Sequence, residues 1–172
     1  MIVRGYEGKS PRFGERVFVA ENAAIIGDVE LGNDCSVWFG TTIRGDVNFI
    51  RIGSRTNIQD NCTIHVAHEK HSTVIAEEVT VGHGAIVHGC TIHRGALIGM
   101  GSRVLDGAVV GERALVGAGA LVPEGMKVPP RKLAVGVPAR VIRDLTDEEL
   151  ARLDASWRNY VGCKGRYLNA ER

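Results

Sequence analysis

Residues 92–121, IHRGALIGMGSRVLDGAVVGERALVGAGAL, divide into five blocks of six residues. Each block begins with Ile or Val, often continues with Gly, and has Ala or Ser at its fifth position. A period of six cannot stay on one face of a helix with about 3.6 residues per turn, so the segment is not an α-helix. The repeat predicts short strands joined by corners, with the first residue of each block pointing inward.

The same blocks can be followed from residue 19 to about residue 127, and they resemble those of the left-handed parallel β-helix, the hexapeptide-repeat fold. The resemblance implies a mainly β protein in which three blocks form one triangular coil and coils stack about 4.8 Å apart. To keep this count, residues 43–51 must form one lengthened side, and about five residues near 69–73 must loop outward. Residues 1–18 are then a lead-in segment, and residues 19–145 form the β-helix domain.

A helix is predicted for residues 146–172, packed along the solenoid. The sequence TDEE at 146–149 is a capping box, with Thr146 as N-cap and Glu149 at the third helical position. Gly162 and Gly165 weaken the last third by about 1 kcal/mol each relative to Ala, so we expect a kinked or loose end. The apolar residues at helical spacing are Leu150, Leu153, Trp157, Tyr160 or Val161, and Tyr167 or Leu168.

Composition narrows the class of protein. A length of 172 residues suits one domain, and a net charge of +1 provides no basic patch for nucleic acid. No apolar run approaches the roughly 20 residues of a membrane span, and the N-terminus has no apolar signal core. The sequence therefore predicts a cytoplasmic protein. Cys35, Cys62 and Cys90 each occupy the fifth position of a block, if Ile86 begins the block of Cys90, and we expect them to be buried fillers.

Three histidines fall where the coil count predicts a metal site. Arg44, His65 and His88 stack on one wall in consecutive coils, whereas Gln59 lies beneath His83 on the preceding wall. Two imidazoles one coil apart can share a zinc ion. His83 lies around a corner, so a neighbouring chain must supply it. Packing three prisms about a threefold axis predicts a homotrimer with three sites, each with three histidines and an open fourth position.

Three segments in chain order, IRGDVNFIRIG (43–53), TNIQDNCTIHV (56–66) and VGHGAIVHGC (81–90), resemble the motifs of γ-class carbonic anhydrases. The resemblance implies hydration of carbon dioxide to bicarbonate by hydroxide that a bound cation generates near neutral pH. Zinc is expected, and iron or cobalt is compatible with three imidazoles. The residues matched by position are His65, His83 and His88 as metal ligands, Arg44 and Asp46 as an intersubunit salt bridge, Asn57 and Gln59 beside water and substrate, and Tyr160 at the side of the site.

The sequence departs from the best-known members of that family in its acidic residues. Those members carry glutamates on an inserted loop after the Arg-Gly-Asp segment, where this chain has Val47, Asn48 and Phe49. The remaining candidates for proton relay are His68, Glu69 and His71, although their plainer interpretation is that of ordinary loop residues. His93 is interpreted as a surface residue of the repeat.

Two other functions remain open. Hexapeptide-repeat acyltransferases share the fold, and AVGVPARVIRD at 134–144 resembles the end of such a domain. An acyl-coenzyme A thioesterase is a variant of that alternative. A non-catalytic metal-binding or scaffold subunit is the second alternative, because relatives of the γ class also serve as parts of larger assemblies.

Overall fold

A computed structural model describes residues 1–170 of the 172-residue chain, and residues 171 and 172 of the predicted helical segment lie outside the described part. The described residues form twenty strands and one helix. The elements are β1 (Ile2–Arg4), β2 (Arg12–Phe13), β3 (Phe18–Val19), β4 (Ala24–Leu31), β5 (Ser36–Val37), β6 (Thr42–Ile52), β7 (Asn57–Ile58), β8 (Thr63–His65), β9 (Thr73–Ile75), β10 (Thr80–Val81), β11 (Ile86–His88), β12 (Thr91–Ile92), β13 (Leu97–Ile98), β14 (Arg103–Val104), β15 (Val109–Val110), β16 (Leu115–Val116), β17 (Leu121–Val122), β18 (Lys127–Val128), β19 (Lys132–Gly136), β20 (Ala139–Asp144) and α1 (Asp147–Ala170).

The strands stack into three parallel faces, which confirms the predicted left-handed β-helix. The first face consists of β3, β5, β7, β10, β13, β16 and β19, and β20 pairs antiparallel with β19. The second face contains the first halves of β4 and β6, followed by β8, β11, β14 and β17. The third face contains the second halves of β4 and β6, followed by β9, β12, β15 and β18. About seven coils result.

The first residues of the blocks form the core, as the repeat predicts. Burying each aliphatic side chain stabilises the fold by about 1.5–3 kcal/mol, so stability accumulates coil by coil. Val87 rather than Ile86 points inward: Val87 is fully buried and Ile86 is 36% exposed, so that block begins one residue later than predicted. The buried residues of the second face are Ile25, Ile43, Ile64, Val87, Val104 and Val122, and those of the third face are Leu31, Ile52, Ile75, Ile92, Val110 and Val128.

Extra residues enter at one corner, between the second and third faces. Four residues separate Gly45 from Ile50 in β6, where one separates their partners in β4, so the predicted lengthened side is confirmed. One coil later, residues 67–72 form the outward loop. This loop ends earlier than predicted, because Thr73 is fully buried and begins β9.

The three cysteines in the repeat are buried, as predicted. Burial raises the pKa of the Cys35 and Cys62 thiols to about 11 and that of Cys90 to about 12. These side chains are therefore protonated fillers rather than nucleophiles near neutral pH. Cys163, on α1, is half-buried.

Helix α1 begins with the predicted capping box. The Thr146 backbone N–H donates to Glu149 Oε2 at 2.9 Å, and the Glu149 N–H donates to Thr146 Oγ1 at 3.2 Å. The helix continues through Gly162 and Gly165 to Ala170 without a break, so the two glycines do not end it. No helix within residues 1–170 combines the length and the apolar character that a membrane crossing requires.

The helix packs on the outside of the first face. Leu150 and Leu153 are buried against a column of leucines from successive coils, namely Leu97, Leu115 and Leu133. Lys164 is 3% exposed, and its ammonium group donates to Asp34 Oδ1 and to the Arg16 carbonyl, both at 2.8 Å. The helix thus leaves the second face uncovered, and that face carries His65 and His88.

Candidate metal centre

His65 and His88 lie side by side on the second face. Adjacent parallel strands β8 and β11 place them in direct register, so the predicted stacking is confirmed. His65 Nδ1 and His88 Nε2 are 3.1 Å apart. Two nitrogen ligands of one tetrahedral zinc ion, each bound at 2.0–2.1 Å, would be separated by about 3.3 Å. The pair therefore fits two adjacent positions on one metal ion.

The other nitrogen of each ring contacts a carboxylate. His65 Nε2 is 3.0 Å from Asp46 Oδ1, and His88 Nδ1 forms a short hydrogen bond with Asp106 Oδ1. Burial opposes ionisation of Asp46, but hydrogen bonds from His65 and Arg44 outweigh it and lower the pKa of this carboxyl. Carboxylates in this position fix the orientation of metal-binding imidazoles. Together these five residues are called the second-face half-site.

Three members of the second-face half-site add to the sequence interpretation. Arg44 and Asp46 pair with each other within one chain, and an intersubunit bridge between them stays a prediction. Asp106 was not identified from the sequence, because no local motif marks it. Its signal is the coil count, since it follows the inward residue Val104 at the corner one coil beyond His88.

His83 occupies the corner that follows β10, between the first and second faces. Gly84 makes the corner possible with a φ of +68°. Asp60 Oδ2 lies 2.8 Å from His83 Nδ1, and Gln59 Oε1 accepts the His83 backbone N–H at 3.1 Å. The register pairs Ile58 with Val81, so Asp60, rather than Gln59 as predicted, lies beneath His83.

Asn57 and Gln59 flank the inward residue Ile58 on the first face, so their side chains lie on the outer side of the wall, beneath α1. They are 1% and 4% exposed, and Gln59 Nε2 donates to Asn57 Oδ1 at 3.2 Å. Asn57 Nδ2 donates in turn to Thr80 Oγ1 at 3.0 Å. Within one chain this network orders the residues around His83, and contact with substrate stays a prediction. His83, Asp60, Gln59 and Asn57 are called the corner half-site.

Tyr160 lies on the same side of the molecule as the corner half-site. Its ring meets Trp38 edge to face, with centroids 5.4 Å apart, and it lines a cavity together with Asp60. Burial, and next the negative charge of Asp60, raise the pKa of the Tyr160 hydroxyl. The predicted role at the side of the site is therefore compatible with its position but untested.

The two half-sites do not meet within one chain. No group of three or more His, Cys, Asp or Glu side chains among residues 1–170 is arranged to hold a metal ion. The structure thus brings His65 and His88 together and leaves His83 apart. A three-histidine centre requires a second chain.

The proton-relay candidates lie around the outward loop. His68 and Glu69 line a cleft of about 570 Å³ that also contains Asp46, whereas the His71 ring covers Gly107 at the neighbouring corner. Val47 and Phe49, at 39% and 38% exposure, border the same cleft as His68. His93 is exposed, as the sequence predicts.

The chain is similar to known carbonic anhydrases over most of its length. The chain is 46% identical over 98% of its length to a carbonic anhydrase of Geobacillus kaustophilus, of which it covers 92%. This chain belongs to the γ-class carbonic anhydrase family. It is also 47% identical to mitochondrial γ carbonic anhydrase 2 of Arabidopsis thaliana over 89% of its own length, but spans only 57% of that relative.

The wider fold family includes proteins with transferase descriptions. The family described as bacterial transferase hexapeptide (six repeats) matches residues 89–124. A crystal structure from Bacillus cereus, described as a candidate acetyltransferase, is 44% identical with a TM-score of 0.95, covering 96% of each chain. Membership of the γ class and a transferase description therefore occur on nearly the same backbone, and the site must distinguish the functions.

Proposed function

We propose that this γ-class carbonic anhydrase hydrates carbon dioxide to bicarbonate, releasing one proton per turnover. The observation that carries the proposal is the His65–His88 pair, with each ring backed by a carboxylate on a solvent-facing wall. In each site the second-face half-site of one chain meets His83 of a neighbouring chain. Three chains around a threefold axis would close the ring and form three equivalent sites.

The donor set suits a divalent transition metal. Three neutral imidazoles with one open position are the ligands of a catalytic zinc site, and iron(II) or cobalt(II) accept the same donors. Such an ion supplies hydroxide at neutral pH, because it lowers the pKa of water to about 7. Asp46, Asp106 and Asp60 each hold one of the three rings, so the ligands need little reorganisation on binding.

The residues around the ligands have separable tasks in this proposal. Gln59 and Asn57 order the corner that carries His83, and Arg44 keeps Asp46 ionised and directed at His65. The released proton must reach solvent, and neither Val47 nor Phe49 can accept it. We therefore assign that step to the loop of residues 67–72, because its His68 and Glu69 line the cleft that contains Asp46.

A subunit-mixing experiment tests the divided site. The variants His83→Ala and His88→Ala should each lose metal and activity as pure proteins. If the two variants are unfolded and refolded together, mixed trimers form. A complete site then arises at each interface where a His83→Ala chain supplies His65 and His88 and its neighbour, a His88→Ala chain, supplies His83. Random association gives about one quarter of the wild-type number of sites, measurable as bound zinc per chain and as carbon dioxide hydration.

Controls separate the possible failures. His93→Ala should keep about one metal per chain, since this exposed histidine lies outside both half-sites. If all three ligands came from one chain, the refolded mixture could not regain bound zinc or activity. A mixture that binds no more zinc than the two pure variants would therefore refute the interface site. Zinc recovery without hydration activity would favour the scaffold alternative.

An acyltransferase or acyl-coenzyme A thioesterase is the second candidate, and the Bacillus cereus structure is the observation that favours it. Acetyl-coenzyme A incubated with the metal-loaded protein distinguishes the two. Release of free coenzyme A at a rate that depends on His88, without carbon dioxide hydration, would favour the acyl reaction.

A further inference from the structure

Aromatic side chains are concentrated in one place. The chain has nine Phe, Trp and Tyr residues, and five of them form a continuous cluster between α1 and the first face. Neighbouring ring centroids are 5.1–6.4 Å apart. The members are Phe18, Trp38, Phe39, Tyr160 and Tyr167. Phe18 and Trp38 belong to the buried core, and Phe39 and Tyr160 pack against it.

Four of these rings line an open cavity beside the corner half-site. Its volume is about 410 Å³, within the range typical of small-ligand pockets. Phe39 is half-buried and Tyr167 is 40% exposed, so part of the aromatic surface is reachable from solvent. Asp60 contributes to the wall, which places the cavity next to His83. We call it the aromatic cavity.

The aromatic cavity is lined by one acidic and one basic side chain, Asp60 and Arg166. Asp60 Oδ2 lies 2.8 Å from His83 Nδ1 and is directed at that ring. Arg166 makes no ion pair with any residue of the described 1–170. Asn159, two helical turns before Arg166 on α1, adds an amide to the lining of the cavity. A planar guanidinium recognises a carboxylate by paired hydrogen bonds.

We propose that the aromatic cavity binds a small aromatic carboxylate. The ring of the ligand packs against Phe39 and Tyr167, and its carboxylate binds the Arg166 guanidinium. The aromatic cavity adjoins the proposed metal centre through Asp60 and Tyr160, and binding of an aromatic carboxylate there does not require carbon dioxide hydration. Asp60 lines the aromatic cavity and also contacts the His83 ring. A ligand bound in the cavity can therefore affect His83 through this one side chain.

Tryptophan fluorescence of the assembled protein tests the proposal. The variant Trp157→Phe leaves Trp38, in the cavity wall, as the single tryptophan. Benzoate should change its emission saturably. Acetate has the carboxylate alone and benzyl alcohol the ring alone, so each should bind at least about tenfold more weakly.

Two variants on α1 locate the carboxylate. In the same background, Arg166→Gln should weaken benzoate binding about tenfold or more without changing that of benzyl alcohol. Arg152→Gln removes another exposed arginine of the helix and should leave both unchanged. Equal benzoate affinity in Arg166→Gln and its parent would overturn the proposal.

Cys163 provides an independent readout, because it lines the cavity while the other three cysteines are buried. Saturating benzoate should slow alkylation of Cys163 by iodoacetamide. A cationic probe tests the charge preference of the cavity. If benzyltrimethylammonium binds more tightly than benzoate, Asp60 rather than Arg166 determines which ligands bind, and the proposed carboxylate site is wrong.

Discussion

The His88 ring has a protein partner at each nitrogen, His65 at Nε2 and Asp106 at Nδ1. His65 lies on β8 and Asp106 at the corner that follows β14, so the ring is held between a strand and a corner of the next coil. The histidines could be predicted from the sequence because the coil count needs only residue numbers. Asp106 could not, because its role depends on which way the His88 ring turns.

Asp106→Asn should weaken zinc binding about 10- to 100-fold, because an amide does not hold the imidazole as a carboxylate does. Competition with a chromophoric chelator measures the affinity. Asp144→Asn, which alters an exposed carboxylate of β20 paired with Lys132, is the matched control and should keep wild-type affinity. Equal affinities for the two variants would show that Asp106 does not orient a ligand.

Helix α1 is fastened at both ends by charged groups. Glu149 contacts Arg143 before the helix, and Lys164 reaches Asp34 on the first coil. The capping box and the leucine stripe were predictable, since both depend on spacing alone. The buried Lys164 was not, because its partner lies 130 residues away and only the assembled solenoid brings it within reach.

Acid should loosen this helix before it disrupts the coils. A hydrogen bond from Arg16, followed by one from Lys164, lowers the pKa of Asp34 from 3.8 to about 2. The stabilisation is therefore complete above about pH 4 and is lost as the pH falls toward 2. Hydrogen exchange of α1 should accelerate over this interval. Asp34→Asn should exchange faster already at pH 7 and depend less on pH, and an unchanged profile would contradict the linkage.

For the whole molecule, the six-residue period predicted short strands with an inward aliphatic residue, and the resemblance to the hexapeptide-repeat fold implied that three of them form each coil of the solenoid. The misplaced details share a cause. Val87, not Ile86, points into the core, and Asp60, not Gln59, lies beneath His83. In both cases the predicted position was off by one residue at a corner of the coil. The six-residue period determines the number of coils. The backbone conformation at each corner determines which side chains of adjacent coils are in contact.

Met100 offers a test of the assembled state. It lies directly above His83 at the same corner, where Gly101 N–H donates to the His83 carbonyl at 2.8 Å, and it is 59% exposed. Between chains this apolar side chain would be covered. Met100→Asp should therefore shift the protein from a trimer of about 55 kDa, three chains of 18.5 kDa, to monomers in light scattering.

Val137→Asp is the control for that substitution. Val137 is 70% exposed at the far end of the solenoid, next to the β19–β20 hairpin. The proposed ring leaves that end free, so the variant should remain a trimer. Dissociation by both variants, or by neither, would exclude the His83 corner as the contact between chains.

The separation of His83 from the other two histidines has a consequence for how such a protein acquires its ion. A newly made chain displays at most two neighbouring imidazoles, and such a pair holds copper, nickel or zinc less firmly than three ligands do. If the site forms between chains as proposed, selection among competing ions is postponed until chains meet, and the law of mass action ties metal retention to chain concentration. Dilution would then dissociate the trimer and release its metal at the same time. A cell that makes too little of the chain would contain the metal-free form even if zinc were plentiful.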